Sequence, residues 1–155
     1  MDPRISFVTL VVHDLERSRD FYITGLGWTA ELDVPGEVLM IRTGDKLVLS
    51  LWNEKAAVAE LGPIGRSEGA LPFTLAHNVG SPEAVDVVMA SASDAGARVI
   101  AEPVTRDWGG YSGYFADPDG FRWEIAYNPG LALAADGSII IPEVLRPWVG
   151  KDKIG

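Results

Sequence analysis

The chain alternates short apolar runs with polar punctuation, and the period of those runs predicts its elements. "ISFVTLVV" (5–12) has strand spacing, and Asp14 behind it can cap a helix through "LERSRDFYITGLG" that stops near Gly25 or Gly27. "WTAELDV", "EVLMIRT" and "KLVLSLW" follow as three strands, with Gly44-Asp45 as a hairpin turn between the last two. From residue 73 the same order begins again. "FTLAHNV" reads as a strand, and Ser81-Pro82-Glu83 combines a capping hydroxyl, a first-turn proline and an acid at the positive end of a helix dipole. That helix carries Val85, Val88, Met89 and Ala92 on one face and stops at Gly96; "ARVIAEPV", "GYSGYFA" and "FRWEIAY" close the half as strands.

The order β-α-β-β-β therefore occurs twice. The expected fold is α+β, two βαβββ modules with curved, mixed but mainly antiparallel sheets enclosing a cleft. The domain spans 4–128, with modules 4–53 and 72–128, a linker 54–71 and a C-terminal extension 129–155. "NEKAAVAEL" in the linker reads as a short helix capped by Asn53, and Asp136-Gly137 as a turn before "SIIIP". A single module covers one sheet face with its helix and leaves the other bare. Two modules must pair, or recruit a second chain, to bury that face.

This plan gives weight to "ADPDGFRWEIAYNP" (116–129). Asp117-Pro118-Asp119-Gly120 is a turn, and the strand behind it alternates, with Arg122, Glu124 and Ala126 opposite Trp123, Ile125 and Tyr127. Glu124 is either a solvated residue or the polar centre of a cleft.

Composition narrows the field. A net charge of −9 argues against nucleic acid and anionic membranes as partners. The absence of cysteine removes disulfides and thiolate metal sites and suits a reducing compartment. No run reaches the roughly 18 apolar residues of a membrane span, and "MDPRISFVTLVV" does not read as a signal peptide, so a cytoplasmic location is expected.

The stretches "FVTLVVHDLERSRDFYITGLGW" and "SGYFADPDGFRWEIAYNP" make the chain resemble the vicinal oxygen chelate superfamily, which includes glyoxalases, extradiol dioxygenases and bleomycin-binding proteins. The likeness covers roughly residues 4 to 128 and rests on D-L-x-x-S-x-x-F-Y-x-x-x-L-G combined with D-P-D-G-x-x-x-E. It implies a homodimer. It also implies four metal-ligand slots, which counting from the caps and from Asn53 and Asn128 places at Phe7, Leu49, Thr74 and Glu124. One carboxylate and a neutral hydroxyl fall short of the roughly three protein ligands of a catalytic metal site. No metal or other cofactor is expected. His77 has the parity of the helix-covered face and reads as structural; His13 lies at the far end of the first strand, beside the helix cap.

What remains is a mostly apolar cleft with a few polar groups, as small-molecule pockets have. Phe7, Thr9, Leu49, Thr74, Asn78, Trp108, Tyr111, Arg122 and Glu124 are the expected ligand contacts, with Phe7, Leu49 and Trp108 as walls and Glu124 as the polar anchor. A cleft simply filled by Phe7 and Leu49 is the bland alternative. Two functions compete: a metal-free protein that binds a small apolar or aromatic molecule, a cationic one included, and a lyase or isomerase using Glu124 as general base. Glu124 is the single catalytic candidate, because no nucleophile motif is present.

Overall fold

A computed structural model describes residues 1–65 and 71–140. Part of the expected linker and the extension beyond residue 140, "SIIIP" in part, lie outside the described residues. The fold is α+β, built on two four-stranded mixed sheets.

The first sheet holds β1 (Phe7–Val12), β2 (Ala30–Val34), β3 (Val38–Arg42) and β4 (Val48–Asn53) in the order β1-β4-β3-β2. The second repeats that order with β5 (Leu75–Asn78), β6 (Arg98–Thr105), β7 (Tyr111–Ala116) and β8 (Arg122–Tyr127), arranged β5-β8-β7-β6. In each, the first strand pairs in parallel with the last and the other ladders are antiparallel. A parallel pair needs a long crossover, and here the helix and the two middle strands supply it.

The helix between β1 and β2 is not uniform. The Asp14 side chain accepts from the Arg17 N–H to start α1 (Leu15–Arg19), which runs into a π-helical turn over Asp20–Gly25 closed by the Leu26 N–H donating to the Phe21 carbonyl. Gly25 is required there, since an added Cβ would lie 2.5 Å from Ala95 Cβ. Asn53 caps α2 (Glu54–Leu61), and Ser81 caps α3 (Pro82–Asp94) through the Ala84 N–H. A two-stranded hairpin, β9 (Ala132–Leu133) and β10 (Ile139–Ile140), ends the described chain.

One core joins the halves, on the helix-covered sides of both sheets. It contains Leu10, Val12, Leu49 and Leu51 from the first sheet, Phe21 and Tyr22 from the π turn, and Phe115, Trp123 and Ile125 from the second sheet. Phe21 and Tyr22 meet edge to face, and Tyr22 and Trp28 both lean on Trp123. The opposite faces are open in part: Phe7 is 50% exposed and Thr9, Thr74 and Ala76 are exposed, while Ser50, Ser112, Ala116 and Ala126 on the same sides are buried.

Candidate functional site

The ladder registers decide which side chains share the open faces. In the second sheet Ala76, Glu124 and Tyr114 form one row, Asn78, Ala126 and Ser112 the next, and Arg122 lies beside Ala116. Thr74 joins the Arg122 end, its hydroxyl donating to the Arg122 carbonyl at 3.0 Å. Thr74, Asn78, Arg122 and Glu124 thus stand together, as alternation along β8 anticipates.

The first sheet requires a correction. Phe7 pairs with Val48, Thr9 with Ser50 and Val11 with Trp52, so Phe7 and Thr9 do share an open face, but Leu49 does not. Leu49 pairs with Val8 on the helix-covered side and is a core residue. The counterpart of Glu124 is Ser50, which is buried. The slip is one residue, and its cause is that β4 is buried on both faces from Val48 to Leu51, so apolar alternation assigns it no parity. Aligning Asn53 with Asn128 then misplaced the strand.

Tyr111 is the second correction. It lies opposite Tyr127 with the parity of Phe115, and its hydroxyl donates to Asp86 of α3 at 2.9 Å, so it belongs to the helix side. Trp108 sits in the β6–β7 turn, which the Arg106 N–H closes onto the Gly110 carbonyl; the indole is half-exposed and folds over Gly110, where a Cβ would fall 1.6 Å from the ring. The indole packs locally against its own turn. His77 lies on the helix side opposite Ile125, and burial holds its imidazole below the ordinary value. His13 Nδ1 lies 2.9 Å from a Glu54 carboxylate oxygen.

The centre of the open face is a bonded pair. Tyr114 donates its phenol to Glu124 Oε1 at 2.6 Å, and that carboxylate, with desolvation second, raises the phenol's pKa. Arg106 lies over the Tyr114 ring, 5.7 Å from its centroid, while Nε donates to the Ser112 hydroxyl and Nη2 to the Ser112 carbonyl. Tyr114 and Arg106 were missed as site residues. The parity of "GYSGYFA" against "FRWEIAY" is the signal that places Tyr114 beside Glu124; Arg106 leaves none, because its position depends on the turn.

A divalent ion does not fit the four corrected positions, which offer Phe7, Ser50, Thr74 and Glu124, one carboxylate among hydroxyls and a phenyl ring. Among the described residues no three His, Asp or Glu side chains gather as a ligand set.

The D-P-D-G turn has a different task from the open face. Asp117 accepts from the backbone N–H of Asp119 and Phe121 and from the Tyr22 hydroxyl at 2.7 Å; Trp123 Nε1 in turn donates to Tyr22. Asp119 accepts from the His13 N–H and the Ser18 hydroxyl, and Arg17 donates to the Pro118 carbonyl. Gly120, at φ 92°, allows the turn to close. Burial raises Asp117 to about 6 against the hydrogen bonds that favour its charge, and burial also pushes Tyr22 well up. The two sequence motifs are therefore the two halves of one staple between the first helix and the second sheet. Cavities lie beside it. One of about 560 Å³ lies between Arg17, Gly96 and the turn; one of about 220 Å³ lies between Trp28, His77, Val88 and Trp123.

These features define a chain of the vicinal oxygen chelate type. The family model of the Glyoxalase/Bleomycin resistance protein/Dioxygenase superfamily matches residues 4–125, and the chain belongs to that superfamily. Among solved structures it is similar to a glyoxalase-related enzyme from Fulvimarina pelagi, at 32% identity and TM-score 0.80 over 90% of this chain and 98% of the other. A glyoxalase/bleomycin resistance protein/dioxygenase from Nocardioides matches at 27% identity and TM-score 0.68, over 82% and 84% of the two chains. Lactoylglutathione lyase from Agrobacterium tumefaciens, at 22% identity and TM-score 0.63 over 83% and 96%, shares the fold. No curated protein matches. Among the described residues no helix is long and apolar enough to cross a membrane.

Proposed function

We propose that this chain is a cytoplasmic, metal-free binding protein that takes a small, largely apolar or aromatic molecule on the open face of its second sheet, with Glu124 as polar anchor. The Tyr114–Glu124 pair carries the reading. The phenol occupies Oε1, which orients the carboxylate and leaves Oε2 to accept from a ligand. Ala76, beside Glu124 in the ladder, is small and exposed, which leaves one side of the pair open. General-base chemistry is supported less well, because Leu49, expected as an apolar wall beside Glu124, lies on the other side of its sheet.

A second copy of the chain completes the site. The contacts described above that join the two halves run through the helix-covered sides, which turns the open faces outward with Phe7 half-exposed. Pairing the first module of one chain with the second of another covers both.

Titrating a library of small aromatic molecules against tryptophan fluorescence tests the reading with wild type and Glu124→Gln. Where the ligand donates to Oε2, the variant should bind it more weakly by roughly 1.5–3 kcal/mol. Turnover abolished with binding retained would establish the general-base alternative instead.

A further inference from the structure

On the open face of the second sheet, two residues along β8 from Glu124, the Arg122 guanidinium is turned so that Nε and Nη1 are buried without a hydrogen-bond partner. Those two atoms carry three of the five guanidinium N–H bonds. A guanidinium cannot relieve the deficit by losing a proton, as a lysine or histidine could. No described carboxylate forms an ion pair with it; the pairs present join His13 to Glu54, Arg19 to Glu16 and Asp33, and Arg42 to Glu31. Glu124 shares its face, but its Oε1 already accepts from Tyr114. The residue as a whole is only partly buried, so the part of the side chain other than Nε and Nη1 reaches the surface of the face.

The surroundings have the same sign. Arg106 is held over the Tyr114 ring by Ser112, so a second guanidinium stands on this face of a chain whose net charge is −9. Nε and Nη1 of Arg122 each share a bidentate edge with Nη2, so the unmet donors match one oxygen of a planar anion whose second oxygen meets Nη2.

We propose that the ligand carries a carboxylate, which seats on Arg122, while a donor elsewhere on it meets Glu124. The proposal rests on the open-face reading given above and names the class of molecule that face takes: a small aromatic or apolar carboxylic acid.

The test uses benzoate, phenylacetate and 3-phenylpropionate, each against its carboxamide, titrated calorimetrically into the full chain at pH 7. At least one acid should bind wild type roughly 10- to 100-fold more tightly than its amide, the range of a charge-assisted hydrogen bond. That preference should vanish in Arg122→Gln, survive in part in Arg122→Lys, and persist in Glu124→Gln. Amides that bind as tightly as acids, with Arg122→Gln unaffected and Glu124→Gln weakened, overturn the proposal and leave the open-face site standing. If none of the six probes binds, both fall. A loss of oligomer mass in Arg122→Gln overturns it too, since a carboxylate of a second copy then meets the guanidinium. If Arg122→Gln does not fold, the wild-type acid-to-amide ratio decides alone, and a ratio near one overturns the proposal.

Discussion

Asp117 and Glu124, seven residues apart, illustrate how differently carboxylates are used. Glu124 faces outward and orients with Tyr114, so the state of the phenol reports on the pair. In Glu124→Gln the Tyr114 ionisation should move down toward the ordinary tyrosine value, because its largest raising influence is the carboxylate it donates to. Spectrophotometric titration of wild type against the variant measures it, and an unchanged Tyr114 would mean the bond is absent in solution. Asp117 is buried, and its raised value has a defined consequence for stability. The folded state holds the Asp117 proton up to about 6 and the unfolded chain releases it near 3.8, so the folded state binds more protons between these values. This contribution is present in full at the acid end and is lost as pH rises through 6, by roughly 3 kcal/mol. Urea unfolding from pH 4 to 7 should therefore show wild type losing stability relative to Asp117→Asn across that window. Tyr22→Phe should cost about 1–3 kcal/mol at any of these pH values, since it strips a partner from both Asp117 and Trp123 Nε1.

At the scale of elements, the order βαβββ, the caps at Asp14, Asn53 and Ser81 and the turn at Asp117 were all legible, because each depends on a few adjacent residues. Two kinds of information were not. The first is parity where both faces of a strand are apolar: β8 alternates and Glu124 could be placed, whereas β4 does not and Leu49 was put on the wrong side. Leu49→Ala tests the corrected register. As a core residue it should destabilise by about 2–5 kcal/mol, and an effect near zero would return Leu49 to the open face. The second is the partner of a side chain across the fold. Tyr111 and Tyr114 sit three apart in one strand, yet one bonds to a helix and the other to the site. Likewise Glu124 could be read as an anchor for a cation from sequence, while the unmet Arg122 donors exist only once the strands are paired. The contact at Gly25 is equally invisible locally: Gly25→Ala should cost about 1–3 kcal/mol, read as a lower melting midpoint, by pushing the π turn off Ala95.

For the whole molecule, the proposed site and the proposed pairing of two copies share the same outward faces. Phe7→Glu places a charge where a second copy should lie, so native mass spectrometry should find more single chains while circular dichroism stays that of wild type; an unaltered dimer would locate the interface elsewhere. The staple between the first helix and the D-P-D-G turn reaches further, into how the protein is made. Its bonds span 95 to 106 positions, from Tyr22 to Asp117 and from His13 to Asp119. A chain emerging from the ribosome therefore presents its first helix long before the turn that fastens it exists, and the apolar sides of Phe21 and Tyr22 must wait uncovered through most of synthesis. The first module is complete as a pattern well before it is complete as a structure.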